Sequence, residues 1–190
     1  MNNSFYEKNE LERLGIKKIG KNVLISRKAS IYNPEEILIG NNVRIDDFCI
    51  LSGKIKLGSN IHISSFCALY GKYGIELEDC TGISPRSIIF SATDDFSGDY
   101  LIGPMYPEQF TNVISGKVIL KKFSQLAANT IVLPNIIIGE GAVTGALSLV
   151  NKNLEPWTIN TGIPINRTRP RKKGLLEHYV NSIHSEPLAR

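Results

Sequence analysis

Acid–base chemistry has few candidate carriers in this 190-residue chain. Of its three histidines, His178 and His184 lie in a C-terminal stretch with helical spacing and read as helix-surface residues, which leaves His62. Asp94 and Asp95 stand in the run Ser91-Ala92-Thr93-Asp94-Asp95-Phe96-Ser97-Gly98. A positioned imidazole or carboxylate can relieve a nucleophile of its proton. An aspartate with an ordinary pKa of about 3.9 is a weak base for a hydroxyl, but it can orient a substrate or assist an amine. The plainer alternatives are a surface or subunit-interface histidine, and a turn in which the carboxylates bond to their own loop. A second cluster, Arg167-Thr168-Arg169-Pro170-Arg171-Lys172-Lys173, supplies much of the formal charge of +4. It fits an anion site for a phosphorylated small ligand, or a solvated surface. No aromatic interleaving or nucleic-acid module accompanies it, which argues against nucleic acid as a partner.

The elements that must hold these residues follow from a six-residue rhythm. Aliphatic slots recur at Ile19, Ile25, Ile31, Ile39, Ile45, Leu51, Leu57, Ile63, Leu69, Leu77, Ile83 and Ile89. After a break they resume at Leu120, Leu126, Val132, Ile138, Thr144 and Val150, with Thr144 the one exception to aliphatic character. Neither a helix nor an ordinary strand repeats in sixes, whereas a fixed short period marks a solenoid whose repeats bury their apolar sides on one another. The residues two before the slots are mostly small or β-branched and share the inward side. Three hexads make one triangular coil of about eighteen residues, so Cys49 and Cys67 stack one coil apart, as do Phe48 and Phe66. His62 precedes an inward slot and therefore points outward, with Arg44 and Gly82 as stacked neighbours. Gly82 is expected to leave room beside the imidazole, and Arg44 to lower its pKa.

The rhythm slips after Ile31, after Leu69 and, by a long excursion over 90–117, after Ile89. All three departures leave one corner of the coil, and insertions gathered on one edge usually build the binding side of a solenoid. The excursion carries Asp94, Asp95 and Gly103-Pro104-Met105-Tyr106-Pro107, and its prolines, glycines and aromatics point to an ordered loop. The chain thus divides into a helical cap over 1–18 beginning at Ser4, coils over 19–155, and an extension with a helix over 156–190. Three cysteines without framework spacing read as reduced thiols of a cytoplasmic protein. No apolar run reaches membrane-spanning length, and Met1-Asn2-Asn3 opens no signal peptide.

The hexads, the interrupting loop and the segment Ile138-Gly139-Glu140-Gly141-Ala142-Val143-Thr144-Gly145-Ala146-Leu147-Ser148-Leu149-Val150 resemble the hexapeptide-repeat acyltransferases. The run from Pro156-Trp157 to Gly162-Ile163-Pro164 resembles the end of the domain in their galactoside and maltose acetyltransferase branch. The 91–98 and 103–107 segments look most like sugar acetyltransferases of O-antigen and capsule assembly. This resemblance implies an all-β, left-handed parallel β-helix, an exception to right-handed crossovers. It also implies a homotrimer with active sites between subunits, acetyl-CoA as acyl donor, and a sugar or nucleotide-sugar acceptor.

Carried over residue by residue, the resemblance implies an Ala128 amide that meets the acetyl carbonyl, Ala146 along the pantetheine arm, and Asn151, Asn166 and Arg169 near the nucleotide end. Arg167 or Arg171 would stand in for the basic residue usual at 166. Asp95 falls about where that branch has its catalytic histidine, with Asp94 beside it and His62 as the other candidate base. Trp157 either stacks near the adenine or covers the open coil end. Leu147, in place of a glycine, is expected to narrow the pantetheine channel; Ala127 and Asn135 also replace glycines. No metal is expected, because metal catalysis on this coil needs three histidines and only His62 lies within it. The leading expectation is sugar O-acetylation in surface-polysaccharide assembly. N-acetylation of a nucleotide-linked amino sugar is the alternative, favoured by the missing loop histidine, and a non-catalytic trimeric scaffold is the alternative of another class.

Overall fold

A computed structural model describes residues 4–184, with side chains described to Ser182. Residues 1–3 and 185–190, with the signal-peptide reading of Met1-Asn2-Asn3 and the side chain of His184, lie outside the described residues. The chain winds as a three-sided left-handed parallel β-helix. Slots on the first face are Ile25, Ile45, Ile63, Ile83, Leu126 and Thr144, paired in parallel register through Val23–Ile25, Val43–Ile45, Ile61–Ile63, Gly82–Ile83, Gln125–Leu126 and Val143–Thr144. The second face stacks Ile31, Leu51, Leu69, Ile89, Val132 and Val150. The third stacks Ile19, Ile39, Leu57, Leu77, Leu120 and Ile138. Every slot from Ile39 onward is buried, as is Ile25, and Ile19 and Ile31 are partly buried at the open end. The core is therefore one apolar column rather than a layer between sheets.

Three corners join the faces. At the third corner, between third and first faces, four of the six slots are followed by a glycine (Gly20, Gly40, Gly58 and Gly139), and successive coils touch there: a Cβ on Gly139 would lie 2.6 Å from the Leu154 carbonyl oxygen. Three residues before each first-face slot the backbone is left-handed, and Asn22, Asn42 and Asn60 take that conformation at φ 53°, 54° and 59°. Asparagine tolerates it better than other side chains, and the three link in a ladder at 2.9 and 3.0 Å. At the second corner lie all three insertions, as the spacing required: a 3-10 turn at Pro34–Glu36, the extra residues within Ala68–Leu77, and the excursion. The excursion is an ordered arm, closed by antiparallel strands Ala92–Asp94 and Val113–Ser115.

The ends differ in detail from expectation. Helix α1 (Lys8–Arg13) starts at an N-cap Glu7 rather than at Ser4, with Glu7 and Glu10 forming a capping box. Ser4 to Tyr6 instead run along the first coil, where the Tyr6 N–H donates to Ile25 O and Ser4 O accepts from Arg27. Beyond Glu155 one more strand, Thr158–Gly162, continues the first face and then pairs with Ile165–Pro170 as a hairpin. Helix α2 (Leu175–His184) packs back on the coils, with the Tyr179 ring edge-on to Phe123 at 5.1 Å.

Candidate active site

The first corner, between first and second faces, is built from within. Thr144, the non-aliphatic slot, is buried, and its Oγ1 accepts from the Ala127 N–H at 3.0 Å and lies 2.9 Å from Thr130 Oγ1. The hydroxyls of Thr130 and Ser87 both donate to Ala127 O, at 2.7 and 3.0 Å. These buried hydroxyls satisfy one another and fix the turn that follows Leu126, as a fully paired polar network can. The Ala128 amide at its apex has no acceptor among the described residues, and the same holds for Ala146 one coil on. An N–H held rigid and unpaired is what an oxyanion requires. Because Ala146 shares the property, it belongs to the corner and not to Ala128 alone.

Ala146 is exposed, and Leu147 beside it is 61% exposed at φ 61°. Its side chain stands at the rim of the corner. Asn151, Asn166, Arg167 and Arg169 are all exposed, the last three on the terminal hairpin. Arg171 is not free to replace them. Its Nη1 donates to Phe123 O and Gly141 O at 3.0 and 2.8 Å, and burial lowers its pKa. Trp157 lies on Gly141, where a Cβ would come within 2.6 Å of its ring, so it covers the third corner.

His62 points outward from the first face, as its register predicts, with Arg44 and Gly82 as neighbours. Its Nε2 lies 2.7 Å from Asp46 Oδ2, while Arg44 Nε donates to Asp46 Oδ1 at 2.6 Å. Arg44 is thus committed to the carboxylate rather than facing the imidazole alone. Burial pushes the Asp46 carboxyl up, but the bonds from His62 and Arg44 outweigh it and hold it below the ordinary carboxylate range. The space over Gly82 is taken by the Gln125 side chain, whose Nε2 donates to Cys80 O at 3.1 Å.

On the arm the two aspartates part company. Asp95 accepts from Ser97 N–H and from Asn112 Nδ2, both at 2.8 Å, and these bonds lower its pKa. It organises the loop through both oxygens. The Asp94 backbone pairs with Val113 across the arm's strands, but its carboxylate has no bonded partner among the described residues and lines an open cleft of about 520 Å³ with Lys72, Tyr73, Tyr106 and Glu108. The arm leaves the second corner, whereas Ala128 sits at the first, so one chain does not bring Asp94 and Ala128 together.

No protein-family model matches the chain. A dTDP-4-amino-4,6-dideoxy-D-glucose acyltransferase of Escherichia coli is 41% identical over 92% of each chain. The hexad pattern has its explanation there. This chain belongs to the hexapeptide-repeat acyltransferases. AntD, an N-acyltransferase from Bacillus cereus crystallised as an S84C mutant with dTDP-4-amino-4,6-dideoxyglucose and coenzyme A, is 50% identical, covers 98% of this chain and all of its own, and superposes with a TM-score of 0.95. AntD has also been crystallised with dTDP and 3-hydroxybutyryl-CoA, and with its Asp94 replaced by alanine or asparagine. A maltose O-acetyltransferase from Clostridium difficile shares the fold at 19% identity and a TM-score of 0.59, covering 91% of this chain and 79% of its own.

For a member of this family, the sequence disclosed the inward slots but not the purpose of their exception. Thr144 broke the aliphatic series, and with Ser87 and Thr130 two residues before other slots it marked the braced corner. Position 84, substituted in AntD, is also a serine here, and nothing in a single sequence separates Ser84 from Ser26 or Ser64, which occupy the same place after a first-face slot.

Proposed function

We propose that this protein transfers an acyl group from acyl-CoA to the amine of a dTDP-linked 4-amino-4,6-dideoxy sugar, rather than to a sugar hydroxyl. What carries the reading is an acceptor-side carboxylate without a neighbouring base: the Asp94 side chain has no partner among the described residues, and no histidine occupies the arm. The amino-sugar acyltransferases it resembles over nearly their whole length support the same choice. This chain also carries Ser84 and Asp94, the residue types and numbers substituted in the AntD structures.

An amine attacks a thioester carbonyl more readily than a hydroxyl does, and the proton it must shed becomes acidic as the tetrahedral adduct forms. A carboxylate suffices to orient the amine and take that proton. The Ala128 amide supplies the hydrogen bond to the oxyanion, the C–S bond breaks, and CoA leaves as its thiol. Attack is direct, in a ternary complex. CoA runs along the first corner past Ala146 toward Asn151, Asn166, Arg167 and Arg169. Because Asp94 and Ala128 lie on different corners, the complete site takes the arm of one subunit and the first corner of a neighbour, in a homotrimer. Exposed Phe96, Ile102, Met105, Phe110 and Ile114 give the arm an apolar surface suited to such a contact. The N-acylated nucleotide sugar would serve surface-polysaccharide assembly in the cytoplasm.

The test measures CoA release and product mass with dTDP-4-amino-4,6-dideoxyglucose and with its 4-hydroxyl counterpart, using acetyl-CoA and 3-hydroxybutyryl-CoA. Turnover is expected with the amine alone. Asp94→Asn should lower kcat/KM by about 10²-fold, and His62→Ala by less than about threefold. Turnover of the hydroxyl sugar would restore O-acylation, a reversed ranking of variants would make His62 the base, and neither turnover nor CoA binding would leave a scaffold.

A further inference from the structure

The first corner carries a second feature that the acyl-transfer centre does not use. Along its left-handed positions the residues are Phe48, Phe66, Arg86, Asn129 and Leu147, one per coil. Phe48 and Phe66 are about half exposed and stack with ring centroids 4.9 Å apart. The Arg86 guanidinium lies 5.9 Å from the Phe66 centroid and has no carboxylate or carbonyl partner among the described residues. At the far end Lys28 sits 5.3 Å from the Phe48 centroid and is held by Asp47 at 3.0 Å. Both phenylalanines adopt φ values of 61° and 63°, a conformation that costs a bulky side chain of order 1 kcal/mol or more. The third corner shows the residue this turn accepts without that cost, in Asn22, Asn42 and Asn60. Strained, solvent-facing aromatics beside an unpaired guanidinium form a surface suited to a flat ring joined to an anion.

We infer that the Phe48–Phe66–Arg86 stripe is the seat of the acceptor's nucleoside diphosphate, with Arg86 on the diphosphate and the base stacked on the phenylalanine rings. The inference rests on the proposed function and adds to it a place for the nucleotide on this chain. The donor runs from Ala128 toward the C-terminal hairpin, so the acceptor must approach Ala128 from the opposite side, along the N-terminal coils of the same corner. Three coil steps of about 4.8 Å separate the level of Ala128 from that of Phe48. The order met along them is guanidinium first and rings after, which is the order of diphosphate and base beyond a sugar whose amine lies at Ala128. The stacked Tyr70 and Phe90, at 5.4 Å, lack this order because they belong to the second face beside the arm.

Calorimetric titration of the full-length assembled protein with dTDP, and separately with CoA, tests the inference. Arg86→Ala and Phe66→Asn should each weaken dTDP binding by about tenfold, the scale of one stacked base, while CoA affinity stays within about twofold. Phe66→Tyr should retain dTDP. Because asparagine suits the left-handed turn, Phe66→Asn should melt no lower than the parent protein, which separates loss of binding from loss of fold. Unchanged dTDP affinity in both variants, or a loss confined to Tyr70→Ala, would overturn the inference while the amine-acylating activity stands. A parent protein that binds no dTDP and turns over no nucleotide sugar would instead sink the proposed function and the inference with it.

Discussion

The third and first corners of the coil make the same left-handed turn and hold it in opposite ways. The third is braced from outside: glycines let successive coils touch, an asparagine ladder runs over the turn, and Trp157 and helix α2 cover its C-terminal end. The first is braced from inside, by the buried hydroxyls of Ser87, Thr130 and Thr144, and its outer side carries exposed rings with amides and a guanidinium that have no hydrogen-bond partner among the described residues. Outer bracing spends a corner's polar groups on the fold. Inner bracing leaves them facing solvent, at the cost of polar atoms in an apolar column. A corner fixed from within is thus the one to examine for chemistry in this solenoid.

The sharpest way to break the comparison is to add one methyl group to the third corner. In Gly139→Ala the new Cβ meets the Leu154 carbonyl and the Pro156 nitrogen, both at 2.6 Å, and backbone cannot swing aside as a side chain can. A loss of about 3 kcal/mol in denaturant unfolding is expected, with kcat and KM of the folded protein unchanged. Altered kinetics would mean that the third corner also serves the reaction. Thr144→Val asks the same of the first corner. It restores the aliphatic pattern yet strands the Ala127 N–H, which should lower stability by about 2 kcal/mol. On the proposed role of the Ala128 amide as oxyanion donor, kcat should fall as well, with the acyl-CoA KM little changed, because that amide loses its fixed aim. A valine that left kcat intact would show that the hydroxyl network serves the fold alone.

These two substitutions also mark how far the sequence could be read. The slot rhythm determined the coil, its three faces and the single corner from which Pro34–Glu36, Ala68–Leu77 and the arm depart, because burial in a solenoid repeats and each hexad repeats the same information. Side chains that act once carry no such redundancy. Asp94 and Asp95 are neighbours of one type, and only the fold of the arm shows that Asp95 is spent on Ser97 and Asn112 while Asp94 is not. Arg171 belongs to a basic run whose members look alike until two carbonyls claim one of them. The room expected above Gly82 was real in the backbone, but Gln125 reaches across from the next coil to fill it.

Asp46 gives the smallest expected effect and sharpens the comparison at its margin, since it is an outward brace at the first corner. It ties Arg44 and His62 together, and its carboxyl pKa is lowered on folding because their bonds outweigh its burial. A group with a depressed folded pKa stabilises the protein above its unfolded pKa of about 3.9, and that contribution is lost as pH falls through the folded value. Asp46→Asn should therefore cost about 1 kcal/mol near pH 7, a modest figure because both partners are more than half exposed. The difference between variant and parent should shrink below about pH 4, as the parent's own carboxylate takes up its proton. Unfolding curves at neutral and acid pH would read this directly. Turnover measured alongside bears on the base: if Asp46 only braces the first face, kcat is unchanged, whereas an equal fall of about tenfold or more in Asp46→Asn and in His62→Ala would join the pair into a proton-handling dyad and move the proposed chemistry from the arm to the coil.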